Sequence, residues 1–152
     1  MPDKIQGTSE IADGFYILNF GFVCGYLLDA GSSAVAFDTG MAPGKAIAES
    51  RKLKADPARV RHVLLTHSDR DHVGGLPAFP NAKVYLPRDE LTMLDRSFIS
   101  IDNRRRRESM LRLAAFTGTR LLCTMHSGYT NDFKRAMETW LEESRRAERT
   151  GG

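Results

Sequence analysis

Two imidazoles and two carboxylates fall within six positions, His67-Ser68-Asp69-Arg70-Asp71-His72, and a glycine pair follows at Gly74-Gly75. Nitrogen and oxygen donors set this closely suit a divalent cation. Zinc accepts both donor types, and a zinc site with an open coordination position lowers the pKa of a bound water to about 7, supplying a nucleophile at neutral pH. A lone Asp-His pair would read as a solvated polar turn. Four candidate ligands, behind an apolar strand and ahead of two glycines, read instead as a metal-site loop. In a tight loop, residues 67, 69 and 71 need not point the same way, so they can serve two neighbouring metal positions, and the glycines let the backbone fold closely beside the ion.

The flanking pattern supplies the elements that must hold this loop. Residues 14–40 read as three short strands rich in aromatic and branched side chains, an antiparallel meander whose last strand ends at Asp38-Thr39-Gly40. Pro43 and Gly44 introduce a helix over about Lys45–Lys54, with Ala46, Ile47 and Leu53 facing a core and Asp56-Pro57 stopping it. Val60–Thr66 has a continuous apolar centre, which suits a strand covered on both faces, and it delivers His67 at its C-terminal end. A further strand is expected over Ala82–Leu86, helices over Arg88–Leu94 and Arg104–Phe116, and a buried strand over Arg120–Met125 that ends at His126. Phe133, Ala136, Met137, Trp140 and Leu141 recur at helical spacing and predict a C-terminal helix that docks on the body, capped by Thr130 or Asn131.

Thr66-His67-Ser68-Asp69-Arg70-Asp71-His72-Val73-Gly74-Gly75 resembles the metal-binding loop of the metallo-β-lactamase superfamily, whose usual pattern is T-H-x-H-x-D-H-x-G-G. Asp38-Thr39-Gly40 is similar to that superfamily's upstream Asp at a strand end, and His126-Ser127-Gly128 to its last His motif. The resemblance runs from about residue 14 to residue 142. It implies an α/β fold, a metallo-β-lactamase-like αββα sandwich. It also implies that His67 is a ligand of a first metal site, that Asp71 and His72 are ligands of a second, completed by His126, and that Asp38 is a buried structural partner behind the loop. Asp71 in such proteins also positions the attacking water. The second His of the pattern is Asp69 here, a hard carboxylate that weakens the preference for zinc at the first site and admits Mn or Fe. The pattern's middle His has no counterpart, since the histidines are His62, His67, His72 and His126. His62, five residues before His67 in the same strand, reads as an exposed side chain, and Asp102 as a helix cap. The chain is therefore expected to have a reduced second sheet, shortened between about Leu94 and Arg104. One ion at Asp71, His72 and His126, with His67 beside it, is the working expectation.

The composition bounds the remaining readings. With 152 residues, 41% hydrophobic and 27% charged, the chain matches one ordinary globular domain over 1–152, with a charged tail over 143–152 that is expected to fray. No stretch approaches the roughly 18 apolar residues of a membrane span, and MPDKIQGTSE carries no hydrophobic signal core, so no membrane partner and a cytoplasmic location are expected. Two cysteines, Cys24 and Cys123, are too few for a disulfide framework and read as thiols packed inside strands. Residues 1–95 carry 10 basic and 12 acidic side chains, whereas residues 96–152 carry 12 and 7. The basic excess centres on Arg104–Arg107. Such a run reads as a solvated helix start, so nucleic acid is not the expected partner. The leading expectation is a zinc-dependent hydrolase of a small-molecule substrate, with a metal-bound hydroxide attacking an ester, thioester or lactam carbonyl. The alternative is a non-catalytic metal-binding or interaction protein of the same fold, whose exposed edges would pair with a second copy as a homodimer.

Overall fold

Short strands separated by turn residues form the frame of the fold. In this computed structural model the described residues are 6–87, Leu111, Ala115, 121–124, His126 and 128–150. Strands β1 (Ser9–Ala12), β2 (Phe15–Asn19), β3 (Cys24–Asp29) and β4 (Ala34–Phe37) form the antiparallel meander. Helix α1 (Pro43–Lys52) then crosses over to β5 (Val60–Leu64), which pairs parallel with β4. Helix α2 (Arg70–Val73) and a 3-10 turn lead to β6 (Lys83–Tyr85), parallel to β5, so one sheet has the order β1-β2-β3-β4-β5-β6. Strands β7 (Leu122–Thr124) and β8 (Gly128–Thr130) form a second sheet of two strands, and α3 spans Phe133–Thr150. This is the mixed α/β architecture expected, with the second sheet small among the described residues. The expected helices over Arg88–Leu94 and Arg104–Phe116, the arginine run, Asp102 and the shortened stretch between Leu94 and Arg104 lie outside the described residues, apart from Leu111 and Ala115. Ala115 N–H donates to the Leu111 carbonyl at 3.2 Å.

Packing divides the chain into a larger unit, Pro2–Phe98 with Thr124–Gly128, and a smaller one, Ile99–Cys123 with Tyr129–Gly152. In the larger unit, Leu27, Ala36 and Val63 sit side by side across β3, β4 and β5. All three are buried, in one cluster with Ala46 of α1. Burying a Val or Leu side chain contributes about 1.5–3 kcal/mol, so this row is a main source of the unit's cohesion. On the opposite face Leu64 is 39% exposed and its β6 neighbour Tyr85 40%, so β5 is not covered on both sides as its apolar run suggests. His62 is exposed, as expected, and its Nδ1 lies 3.0 Å from Tyr85 Oη. In the smaller unit, Phe133 and Met137 of α3 are buried while Lys134, Arg135 and Glu138 are exposed, the one-sided pattern that the helical spacing predicts. The cap is Asp132 rather than Thr130 or Asn131: its carboxylate accepts from Arg135 N–H at 3.1 Å, and the Thr130 hydroxyl accepts from Asp132 N–H instead. Among the described residues no helix is long and apolar enough to cross a membrane.

Helix α1 carries a charge on its buried face. Glu49 is 1% exposed, and its carboxylate takes Lys45 Nζ and Lys52 Nζ at 2.8 Å each, together with the Thr8 hydroxyl from ahead of β1. Burial alone would push this carboxyl up. The three donors outweigh it and hold the pKa at about 2, against the usual 4.5. A carboxyl depressed on folding stabilises fully above about pH 4.5, and the contribution fades as pH falls toward 2. At most this is on the order of 3 kcal/mol. The expected result for Glu49→Gln is lower stability at neutral pH and a flatter decline between about pH 5 and 2. Denaturant titrations across that range check it, and parallel pH profiles for the two proteins would refute it.

Candidate metal centre

In open sheets with parallel strands, ligand-binding residues gather where the strands end. Here Asp38 follows β4 directly, and Thr66 and His67 follow β5. Asp38 adopts φ +53°, a left-handed conformation uncommon for residues other than glycine, and it is fully buried. Its backbone N–H donates to the Leu64 carbonyl at 3.0 Å, so the turn is tied to the end of β5. Its carboxylate then collects three donors: Oδ1 accepts from Thr66 N–H at 2.8 Å, and Oδ2 accepts from the Thr66 hydroxyl at 2.7 Å and from His72 Nδ1 at 2.8 Å.

That arrangement settles ring orientation. With Nδ1 donating to Asp38, His72 presents the lone pair of Nε2. The Thr66 hydroxyl, its proton committed to Asp38, accepts from His67 Nδ1 at 2.9 Å, and His67 likewise presents Nε2. The third imidazole arrives from another part of the chain. His126 Nδ1 donates to the Phe22 carbonyl at 3.3 Å, again leaving Nε2 as the free acceptor. His72 Nε2 and His126 Nε2 are 3.4 Å apart, His72 Nε2 is 3.4 Å from Asp71 Oδ2, and His126 Nε2 is 4.0 Å from the same oxygen. Donor atoms of His67, Asp71 and His72 also lie within 4.8 Å of one another, and the His67 and His72 rings are 3.8 Å apart by centroid. Asp69 stands at the N-cap of α2, its carboxylate 3.5 Å from His67 Nε2, and is outside that mutually close set. Burial lowers the pKa of His72, but the hydrogen bond and charge of Asp38, with the nearby Asp71 and Asp69, carry it above the ordinary histidine value. His67, Asp71 and His72 thus form a group whose ligand atoms could hold a metal ion.

Backbone contact fixes α2 against the β4 turn. The His72 carbonyl accepts from Thr39 N–H at 2.8 Å and from the Thr39 hydroxyl at 2.7 Å, and Gly75 N–H donates to the Gly40 carbonyl at 2.8 Å. A Cβ on Gly74 would overlap the Met41 carbonyl oxygen, and one on Gly75 the Thr39 carbonyl oxygen. The glycine pair is therefore a condition for close approach of two backbones. Sequence reasoning missed the Phe22 carbonyl as a partner of His126, because main-chain acceptors leave no trace in residue type. Ser127, beside His126, lies outside the described residues; Tyr129 and Thr130 belong to β8.

Residues 18–88 match the family model of the metallo-beta-lactamase superfamily. A thioesterase, pkgB of Emericella nidulans, is 42% identical over 52 residues, which make up 34% of this chain and 15% of that protein. Among solved structures, the subclass B3 metallo-beta-lactamase BJP-1 of Bradyrhizobium japonicum aligns with a TM-score of 0.54 at 20% identity, over 60% of this chain and 36% of that one. The metallo-beta-lactamase GOB-18 of Elizabethkingia meningoseptica gives 0.53 at 24% identity, over 62% and 38%. The Cronobacter sakazakii enzyme gives 0.54 at 19%, over 61% and 38%. At these identities the structures speak for the fold, and the chain spans well under half the length of each of these relatives.

Replacing Gly75 with Ala is expected to cost about 1–3 kcal/mol or more, because the methyl group has only a carbonyl oxygen to displace. Denaturant unfolding measures this, and an unchanged midpoint would show that the two backbones do not meet.

Proposed function

We propose that this chain, a member of the metallo-β-lactamase superfamily, is a hydrolase that holds one divalent cation, zinc foremost, on Asp71, His72 and His126, with His67 beside it. The observation that carries this reading is the triangle of 3.4, 3.4 and 4.0 Å among His72 Nε2, His126 Nε2 and Asp71 Oδ2. Donors about 2.0–2.1 Å from a tetrahedral zinc stand roughly 3.3–3.4 Å from each other, which two of the edges match and the His126–Asp71 edge, at 4.0 Å, exceeds. A bound zinc would supply Lewis acidity and lower the pKa of a coordinated water to about 7.

The chain's own groups account for the rest. Asp38 holds His72 directly and His67 through Thr66, so neither ring can turn its Nε2 away without breaking a hydrogen bond. In this reading Asp71, besides holding the ion, orients the attacking water and accepts its proton. The reaction class is acyl transfer to water: the water oxygen joins the carbonyl carbon, the carbon–sulfur or carbon–oxygen bond breaks, and the proton ends on the departing thiol or alcohol. A thioester or ester is favoured over a lactam, with support from the partial likeness to a thioesterase. Asp69 makes the neighbouring position harder and more oxygen-rich, which favours Mn or Fe there if a second ion is taken up.

Elemental analysis of the purified protein beside His72→Ala and His126→Ala is expected to show about one zinc falling well below one in each variant. Unaltered stoichiometry in both would overturn the ligand assignment. Turnover of a thioester and ester panel is expected to be lost with Asp71→Asn, and a zinc-loaded protein inert to the whole panel would favour a binding role instead.

A further inference from the structure

The turn that carries His126 is anchored from outside. His126 has a side chain 58% exposed, and the segment from Thr124 to Gly128 is only five residues long. Both ends of that segment converge on a single side chain of β3. Tyr26 Oη lies 2.8 Å from the Thr124 carbonyl oxygen and 2.8 Å from the Gly128 carbonyl oxygen. Its one proton is shared between the acceptors that open and close the turn. Cys24, two residues earlier on the same face of β3, donates from Sγ to the Thr124 carbonyl at 3.0 Å, and the Thr124 hydroxyl reaches the Gly128 carbonyl at 3.1 Å. Tyr26 itself is 1% exposed and its ring stacks on Phe15, with centroids 5.7 Å apart, so its hydroxyl has a fixed address. Gly128 has φ +76°, where a side chain would be strained and would also overlap the Gln6 side chain. The two ends of the segment that carries His126 are thus held together at Tyr26.

We propose that Tyr26 is a positioning residue for the metal centre: its buried hydroxyl closes the Thr124–Gly128 turn and so sets His126 Nε2 against His72 Nε2. The consequence for binding rests on the cation site proposed above. A ligand must be held within about 0.5 Å of its productive place, and loss of an outer partner typically weakens metal binding 10–100-fold. The Phe22 carbonyl fixes which nitrogen of His126 is free, and Tyr26, by setting where the ring stands, keeps that contact within reach.

Zinc affinity measured against a competing chelator tests this in four proteins: the parent chain, Tyr26→Phe, His126→Ala and the double variant. Tyr26→Phe keeps the ring and its stack on Phe15. It is expected to weaken zinc binding about 10–100-fold in the parent background and to change nothing further once His126 is alanine. Equal losses in both backgrounds, or no loss in either, would overturn the proposal. A milder Cys24→Ala variant, which removes one donor to the Thr124 carbonyl, is expected to show the same dependence on His126 at several-fold magnitude. Nitrogen-15 spectra of the metal-free imidazoles provide a readout independent of the cation. His126 is expected to hold its Nδ1–H form in the parent and to move toward the Nε2–H form in Tyr26→Phe. If the parent binds no zinc, the cation reading fails, and an unchanged His126 tautomer separately overturns the role of Tyr26.

Discussion

One buried carboxylate sets the terms for everything around it. Asp38 is placed at the end of β4 with a left-handed backbone, surrounded by protein, and takes three hydrogen bonds from Thr66 and His72. A buried carboxylate without such donors would be strongly destabilising, so the loop after β5 and the helix after it are required to sit where they do. The same bonds decide tautomers. His72 is fixed directly and His67 through the Thr66 hydroxyl, so the two rings of the loop offer the same nitrogen to the same space.

Side-chain chemistry at this centre depends on main-chain geometry beneath it. The turn over residues 38–41 and the segment over 72–75 lie against each other with no room for side chains at Gly74 and Gly75. The His126 turn is brought in by a separate device on β3, where Tyr26 and Cys24 gather its carbonyls. Burial pushes the Cys24 thiol up, against the hydrogen bonds it makes, and so keeps it a protonated donor. Three remote stretches of sequence thus meet through backbone acceptors, and the sheet supplies the common frame.

Much of this was legible in the chain. The three strands before Asp38 follow from aromatic and branched residues set between turn residues, the strand before His67 from its apolar run, and the C-terminal helix from helical spacing. The dense His-Asp cluster stood out because so many donors seldom adjoin by accident. Other features left weaker marks. Strand β1, with the sequence SEIA, is short and mostly exposed, and β8 is only three residues long. Helix α1 stops at Lys52 and the chain turns at Lys54 with φ +55°, ahead of the Asp56-Pro57 breaker, while Asp56 caps the following 3-10 turn. The buried partner set of Glu49 is only half local: Lys45 and Lys52 lie within a turn of it on α1, whereas Thr8, 41 residues away, becomes a neighbour only after folding. Tyr26 reads as a core aromatic, which it is; that its hydroxyl has work elsewhere depends on main-chain carbonyls about a hundred residues later.

On the proposed reading, the nitrogens of His72 and His126 and the carboxylate of Asp71 meet on one ion. Zinc K-edge absorption of the protein loaded with one equivalent tests it most directly. A first shell near 2.0–2.1 Å with the outer scattering of at least two imidazole rings is expected. A shell of oxygens without imidazole scattering would contradict it.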